Sequence, residues 1–222
     1  MSVQNLKLDA RTLQVMKNFS TINPSLLVKQ GSTLTTMAPL KTILAKAKVP
    51  AEFSSQFAIY DLSKFLSALS LFNDPTLEIQ EKFVTIKDGG RKLNYTFADP
   101  ASIITPPEKE INFPAAEITF TLTADAFKDV MKAMSVLGST ELAIVGNGSE
   151  ISIQAIDVKD PSSSVYSAVV GTTDKTFTAH FKAENLKILP GDYTVGLSSA
   201  KISKFDSDSV TYYISLEATS SF

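Results

Sequence analysis

Four times along the chain an apolar residue, a capping position, three further residues and a second apolar residue follow one another. The copies are Leu8-Asp9 with Leu13, Tyr60-Asp61 with Phe65, Leu122-Thr123 with Phe127, and Phe181-Lys182 with Leu186. An apolar residue before a helix cap that meets another at the fourth helical position forms a hydrophobic staple. Asp and Thr cap well because their side-chain oxygens accept a backbone N–H that the first turn leaves unpaired. Lys182 has no such oxygen, so the fourth copy is the weakest. The pattern predicts helices over Ala10–Phe19, Leu62–Phe72, Ala124–Val136 and Ala183–Leu189.

Strand-like segments separate these helices. In the first half they are Ser25–Gln30, Ser32–Met37, Thr42–Lys48, Ser54–Ile59, Thr76–Glu81, Phe83–Lys87, Lys92–Phe97 and Ser102–Ile104. In the second half they are Ile118–Leu122, Glu141–Val145, Glu150–Asp157, Ser164–Val170, Phe177–Phe181, Tyr193–Leu197, Ser203–Asp206 and the alternating Val210, Tyr212, Ile214 and Leu216. Asp88-Gly89-Gly90 and Asn147-Gly148 suit hairpin turns, because glycine accepts positive φ. The stiff, charged stretch from Thr105 to Glu110 marks a boundary, dividing the chain into domains at 1–107 and 108–222. The first helices of the two halves lie 114 residues apart, so the reading is an α+β chain that uses one helix–strands–helix–strands domain twice.

Composition narrows the class. The chain has 222 residues, enough for two cores, and no cysteine, which excludes disulfides, thiolate zinc sites and a cysteine nucleophile. No apolar run approaches the ~20 residues of a membrane span. The first residues lack the basic start and apolar stretch of a signal peptide, so a cytosolic, soluble protein is expected and the triplets at Asn18, Asn94 and Asn147 are chance matches to a glycosylation site. The net charge of −2 argues against a chain that coats itself in nucleic acid, but not against a local basic face.

The helices offer such a face. Arg11, Gln14 and Asn18 fall opposite the core stripe of the first helix, with Lys7 and Lys17 nearby. The second helix leaves Ser63, Lys64, Ser67 and Ser70 outside. The third carries Lys128 and Lys132 at i, i+4, diluted by Asp125 and Asp129, and the fourth offers Lys182 and Lys187. Residues 10–22 and 62–73 contain no acid at all. From pattern alone these are either ordinary solvated faces or a surface that contacts phosphates without reading bases, giving weak, salt-sensitive binding.

Catalytic arrangements are poorly supported. His180 is the single histidine and sits in an alternating strand, where a structural role is expected. Asp206-Ser207-Asp208 begins like a calcium loop and reaches Glu217 at its twelfth place. It has Thr211 where the sixth-place glycine belongs, so no metal site is expected. Glu108 and Glu110 are solvated charge. The glycines at 89, 90, 146 and 148 lack the Gly-Lys-Ser/Thr of a phosphate loop, and no cofactor is expected.

The chain also resembles a known family. Residues 15–23 and 26–31, the segment Ala58-Ile59-Tyr60-Asp61-Leu62-Ser63-Lys64-Phe65-Leu66 with its continuation to Leu71, residues 186–193, and Val210-Thr211-Tyr212-Tyr213-Ile214-Ser215-Leu216-Glu217-Ala218 are similar to the sliding clamps of T-even-type tailed phages. The regions 82–98 and 159–176 depart more. The resemblance implies a DNA-clamp fold, with two similar domains that each pack two helices on antiparallel sheets. It further implies a closed ring of three subunits around double-stranded DNA, held non-specifically, with the helices lining the hole. The function implied is non-enzymatic tethering of the phage DNA polymerase, with a clamp loader and late transcription factors as further partners, in the cytoplasm of the infected host and with no membrane contact.

By the same resemblance, Tyr95 and Ser102, Ile103 and Ile104 would meet an edge strand of the next subunit carrying Ser164, Val165, Tyr166 and Val169. A pocket for partner peptides would lie in the second domain near the connector, with Tyr193, Tyr212 and Phe222. The rival readings are a virion structural protein of the tail or baseplate and a hydrolase with a carboxylate site.

Overall fold

The structure, a computed structural model, describes residues 4–109, 111–160 and 162–222, which form two compact units, Met1–Lys109 and Glu110–Phe222. The first unit runs β1 (Gln4–Leu6), α1 (Ala10–Ile22), β2 (Leu26–Val28), β3 (Gly31–Met37), β4 (Ile43–Phe53), β5 (Phe57–Ile59), α2 (Leu62–Leu69), β6 (Thr76–Ile79), β7 (Phe83–Asp88) and β8 (Arg91–Thr96). The second runs β9 (Ile118–Leu122), α3 (Ala124–Leu137), β10 (Glu141–Asn147), β11 (Glu150–Ile156), β12 (Tyr166–Thr172), β13 (Thr176–Lys182), β14 (Tyr193–Ser198), β15 (Ile202–Asp206) and β16 (Val210–Ser215). The element orders superpose, except that a three-residue 3-10 turn, Ala183–Asn185, stands where the first unit has α2.

The pairings repeat as well. In the first unit β1, β6, β7 and β8 form an antiparallel sheet in that order. In the second, β9, β14, β15 and β16 do the same. The remaining strands pair as β2–β5 and β3–β4 in the first unit, and as β12-β11-β10-β13 in the second. The fold is α+β with two similar domains.

Three helix starts follow the cap logic. The carboxylate of Asp9 accepts the Thr12 N–H at 2.9 Å, that of Asp61 accepts the Lys64 N–H at 2.8 Å, and the Thr123 hydroxyl accepts the Ala126 N–H at 3.3 Å. The Asp192 carboxylate adds a bond from the Ala124 N–H at 2.7 Å. Helix α3 ends on Gly138 in the left-handed region at φ 68°. Helix α1 extends a turn beyond the predicted Phe19, because Ile22 is buried and continues the core stripe.

Four expectations are corrected. Tyr60 is exposed and forms no staple, and its partner Phe65 turns into the core, edge-on to Tyr95. The fourth helix does not form: Lys182 makes no side-chain cap bond and only the 3-10 turn follows. Residues 102–104 are not a strand, because Pro100 opens a 3-10 turn, Pro100–Ser102, capped by the Asp99 carboxylate. Strand β4 continues through Pro50, where a break was expected at Lys48. The β3–β4 register slips between Gly31 and Thr33, so Pro50 lies where that ladder needs no donor.

The cores follow the alternation. Strand β4 buries Ile43, Ala45, Ala47, Val49, Ala51 and Phe53 and exposes the residues between Ala45 and Phe53. These pack with Met16 and Phe19 of α1 in the first unit's interior. In the second unit Phe181, Tyr193, Phe205 and Tyr212 meet in edge-to-face contacts.

Candidate nucleic-acid and partner surfaces

Each helix buries one stripe and leaves the other to solvent. In α1 the buried residues Thr12, Val15, Met16, Phe19 and Ile22 fix the rotation, so Gln14 and Lys17 are exposed and Arg11 half-exposed. The Arg11 guanidinium donates to the Gln14 side-chain oxygen at 2.8 Å. Lys7, just ahead of the helix, forms an ion pair with Asp74. In α2 Leu62, Phe65 and Leu69 are buried, so Ser63, Lys64, Ser67 and Ser70 face out. The hydroxyls of Ser67 and Ser70 donate back to the carbonyls of Ser63 and Ser67.

In α3 Phe127, Val130 and Met134 are buried, leaving Lys128 and Lys132 exposed beside the exposed Asp125 and Asp129. The helices therefore differ in charge: α1 and α2 are cationic and α3 is balanced. Lys182 and Lys187 stand apart from any helix. Lys182 ends β13 with Glu217 at 3.6 Å, and Lys187 lies in the irregular stretch after the 3-10 turn.

The expected interface residues divide in the same way. Tyr95 lies on β8, which among the described residues pairs with β7 alone and so is an edge strand. Burial raises the Tyr95 phenol, with the nearby Asp61 charge adding to it. Ser102, Ile103 and Ile104 line instead a cleft of about 340 Å³ with Asn23, Pro39 and Tyr60. Strand β12, paired among the described residues with β11 alone, is an edge strand as well. It includes Tyr166 and Val169, the latter 60% exposed, while Ser164 and Val165 precede it.

Of the residues expected in a peptide pocket, Tyr193 and Tyr212 are core residues. Both rings are buried, and their hydroxyls bind Leu189, Tyr193 donating to its carbonyl at 2.6 Å and Tyr212 accepting from its N–H at 3.2 Å. The alternation of β16 already aimed Tyr212 inward. Only Phe222 keeps an open face, at 39% exposure.

Sequence reasoning missed the apolar exposure of Leu40, Tyr60, Val136 and Leu137. The available signal lies in their positions, Leu40 in a turn after Pro39, Tyr60 just ahead of a cap, and Val136 off the core stripe of α3.

Among the described residues no group of three or more His, Cys, Asp or Glu side chains could hold a metal. His180 Nδ1, on β13, and Glu141 Oε2, on β10, lie buried 3.6 Å apart without a hydrogen bond. The Asp206 carboxylate accepts from Lys204 and Thr211 within the β15–β16 hairpin, which removes it from any calcium loop. Among the described residues no helix is long and apolar enough to cross a membrane.

Comparison with known proteins decides the family. Residues 7–105 match the family described as DNA polymerase processivity factor, and residues 119–218 match that described as gp45 sliding clamp, C terminal. The sliding clamp of Vibrio phage KVP40 is 35% identical over 96% of this chain and 100% of its own length. That of Escherichia phage RB69 is 30% identical over 97% of this chain and 98% of its own. The chain belongs to the phage sliding-clamp family. It is a DNA polymerase processivity factor, not an enzyme.

The fold extends beyond phages. The PCNA of A. fulgidus, solved with the C-terminal region of FEN-1, superposes with a TM-score of 0.72 over 97% of this chain and 98% of that one, at 13% identity. The H. pylori beta clamp in complex with 5-chloroisatin superposes at 0.70, covering 98% of this chain and 67% of that one, also at 13% identity. At such identities the likeness shows the clamp fold alone.

Proposed function

We propose that three copies of this chain close head to tail into a ring around double-stranded DNA and tether the phage DNA polymerase to it. One observation carries the reading: each unit ends a sheet in an edge strand with one open side, β8 in the first and β12 in the second. A row of unpaired main-chain groups is a template for another strand. Pairing β8 of one copy with β12 of the next is a heterologous contact, which gives a ring when the rotation per subunit closes.

The helix faces fit the same function. Lys7, Arg11, Gln14, Lys17 and Lys64 in the first unit and Lys128 and Lys132 in the second supply dispersed cations, with serine hydroxyls between them on α2. Such a surface attracts phosphates without reading bases, and α3 tempers the attraction with its own acids. Weak contact suits a protein held on DNA by topology, which must move along it. A closed ring needs a clamp loader to open it. Late transcription factors share the same tether, and the site of action is the cytoplasm of the infected host. The boundary between the two functional domains is placed at residues 107–108.

Sedimentation equilibrium over a wide concentration range tests the ring. A species of about 72 kDa, three times the 24.0 kDa chain, is expected. A strict monomer that also fails to prolong synthesis by a phage polymerase on primed circular DNA would overturn the proposal.

A further inference from the structure

Two buried polar atoms of the second unit face one another with no bond between them. His180 Nδ1 and Glu141 Oε2 lack any hydrogen-bond partner, and their side chains are only 14% and 16% exposed. A buried polar group left unsatisfied costs more than a satisfied one contributes. One proton removes both deficits, because an imidazolium donates from both ring nitrogens while an ionised carboxylate only accepts. At 3.6 Å the two atoms stand just outside the range of the charged hydrogen bond that proton would make.

The register brings them together and commits the other charges elsewhere. Glu141 lies opposite Lys182 and Ala143 opposite His180, so these four side chains share one face of the sheet. On β11 the residues opposite Glu141 and Ala143 are Ile156 and Gln154, neither of them charged. From the segment 217–222, Glu217 answers Lys182 at 3.6 Å. The Lys201 ammonium donates to the Ser220 carbonyl. Among the described residues the ion-pair contact of Glu141 is therefore with His180 alone.

The main chain of His180 also carries the end of the protein. Its carbonyl accepts the Glu217 N–H at 2.9 Å, and its N–H donates to the Ser220 hydroxyl at 3.0 Å. Two residues along β13, Thr178 and Ser221 exchange main-chain hydrogen bonds of 2.8 and 2.9 Å. Whatever steadies the His180 side chain against β10 thus steadies the strand on which residues 217–221 rest.

We propose that Glu141 and His180 form a proton-operated clasp, open while the imidazole is neutral and closed by one proton into a charged hydrogen bond that braces β13 and the segment 217–221 upon it. Histidine ordinarily changes charge between roughly pH 5 and 8, where a carboxylate stays ionised. A proton held in the folded state stabilises it below the imidazole range, and that gain is lost as pH rises through the range. The clasp is independent of the ring and of DNA contact, so its failure leaves those readings standing.

The test is a double-mutant cycle on the full chain, Glu141→Gln and His180→Gln singly and together, unfolded by urea at one protein concentration at about pH 5.5 and about pH 8. The coupling between the two residues should favour the folded state at least ~5-fold at the lower pH and vanish at the higher. Amide exchange in the wild type, corrected for intrinsic rates, gives a second reading that does not depend on variant folding. The Glu217 and Ser221 amides should be several-fold better protected at the lower pH, and Glu141→Gln should erase that difference. A merely structural contact would couple equally at both pH values. That result, or no gain in wild-type protection at the lower pH, or the same gain in Glu141→Gln as in wild type, would overturn the proposal.

Discussion

The hydroxyl of Tyr95, on edge strand β8, donates a 3.0 Å hydrogen bond to the main-chain oxygen of Asp61, whose own carboxylate caps α2. The Tyr95 ring stands edge-on to Phe65 of that helix, with centroids 5.2 Å apart. One side chain thus ties the strand proposed to meet the next subunit to the start of a helix proposed to face DNA. Tyr95→Phe keeps the ring and loses the bond, a cost of about 1 kcal/mol by the usual worth of a hydrogen bond. Chemical denaturation should show that loss near neutral pH. The pH dependence has a definite sign. Burial first, and then the Asp61 charge, raise the phenol. Its neutral form is favoured in the folded state, so the contribution is whole below the unfolded value near ~10 and falls as pH rises beyond it. Wild type should therefore lose stability relative to Tyr95→Phe above that pH, and a constant difference would count against the assignment.

Much of the fold was legible because its signals are local. Asp9, Asp61 and Thr123 announced helix starts that the structure forms, and Asn147-Gly148 announced a hairpin that the structure closes with Gly148 at φ 86°. What was not legible depends on partners distant in sequence. Pro50 could sit inside β4 only because the register with β3 slips there. The resemblance put Tyr193 and Tyr212 at a peptide pocket, and only the fold shows both rings buried with Leu189 binding their hydroxyls. The helix faces were readable from periodicity, and the weakness of the fourth start was legible too, since Lys182 lacks a cap oxygen and only a 3-10 turn follows it.

The cap at Asp9 offers a test of the local logic. Burial pushes this carboxyl up, but hydrogen bonds from the Thr12 hydroxyl and N–H outweigh it and hold it below the usual carboxylate range. Asp9→Ala should destabilise the fold by about 1 kcal/mol at pH 7. Because the folded value is depressed, the carboxylate's contribution is present above ~3.9 and is lost as pH falls through the folded value. The gap between wild type and variant should narrow in that acid range, as followed by thermal unfolding at several pH values.

Val169 tests the proposed ring contact. It lies within β12 with 60% of its surface exposed, so an acid there buries no charge in the isolated chain. Val169→Asp should leave unfolding within about 0.5 kcal/mol of wild type. In a ring it would meet the neighbouring edge and disrupt assembly. Sedimentation should shift from about 72 kDa to the 24.0 kDa chain. An unchanged assembly would remove β12 from the interface.

The α3 surface gives the sharpest test of DNA contact, because its four charges cancel. Reversing two of them, Lys128→Glu with Lys132→Glu, leaves four acids on one face, the two glutamates with Asp125 and Asp129. Both lysines are exposed and neither belongs to the buried stripe, so folding and assembly should persist. Loaded onto a circular duplex, the variant should show lower retention and weaker polymerase stimulation at low salt. Wild type should lose its advantage as salt rises, since each phosphate contact given up lowers the logarithmic salt slope by about 0.9. Two contacts predict a slope reduction approaching ~2. Lys182→Glu is the matched control, a cation of the same unit that ends β13 beside Glu217 rather than standing on a helix. It should reduce stimulation less than the α3 pair. An equal or larger effect would move the DNA-facing surface of the second unit from α3 to the end of β13.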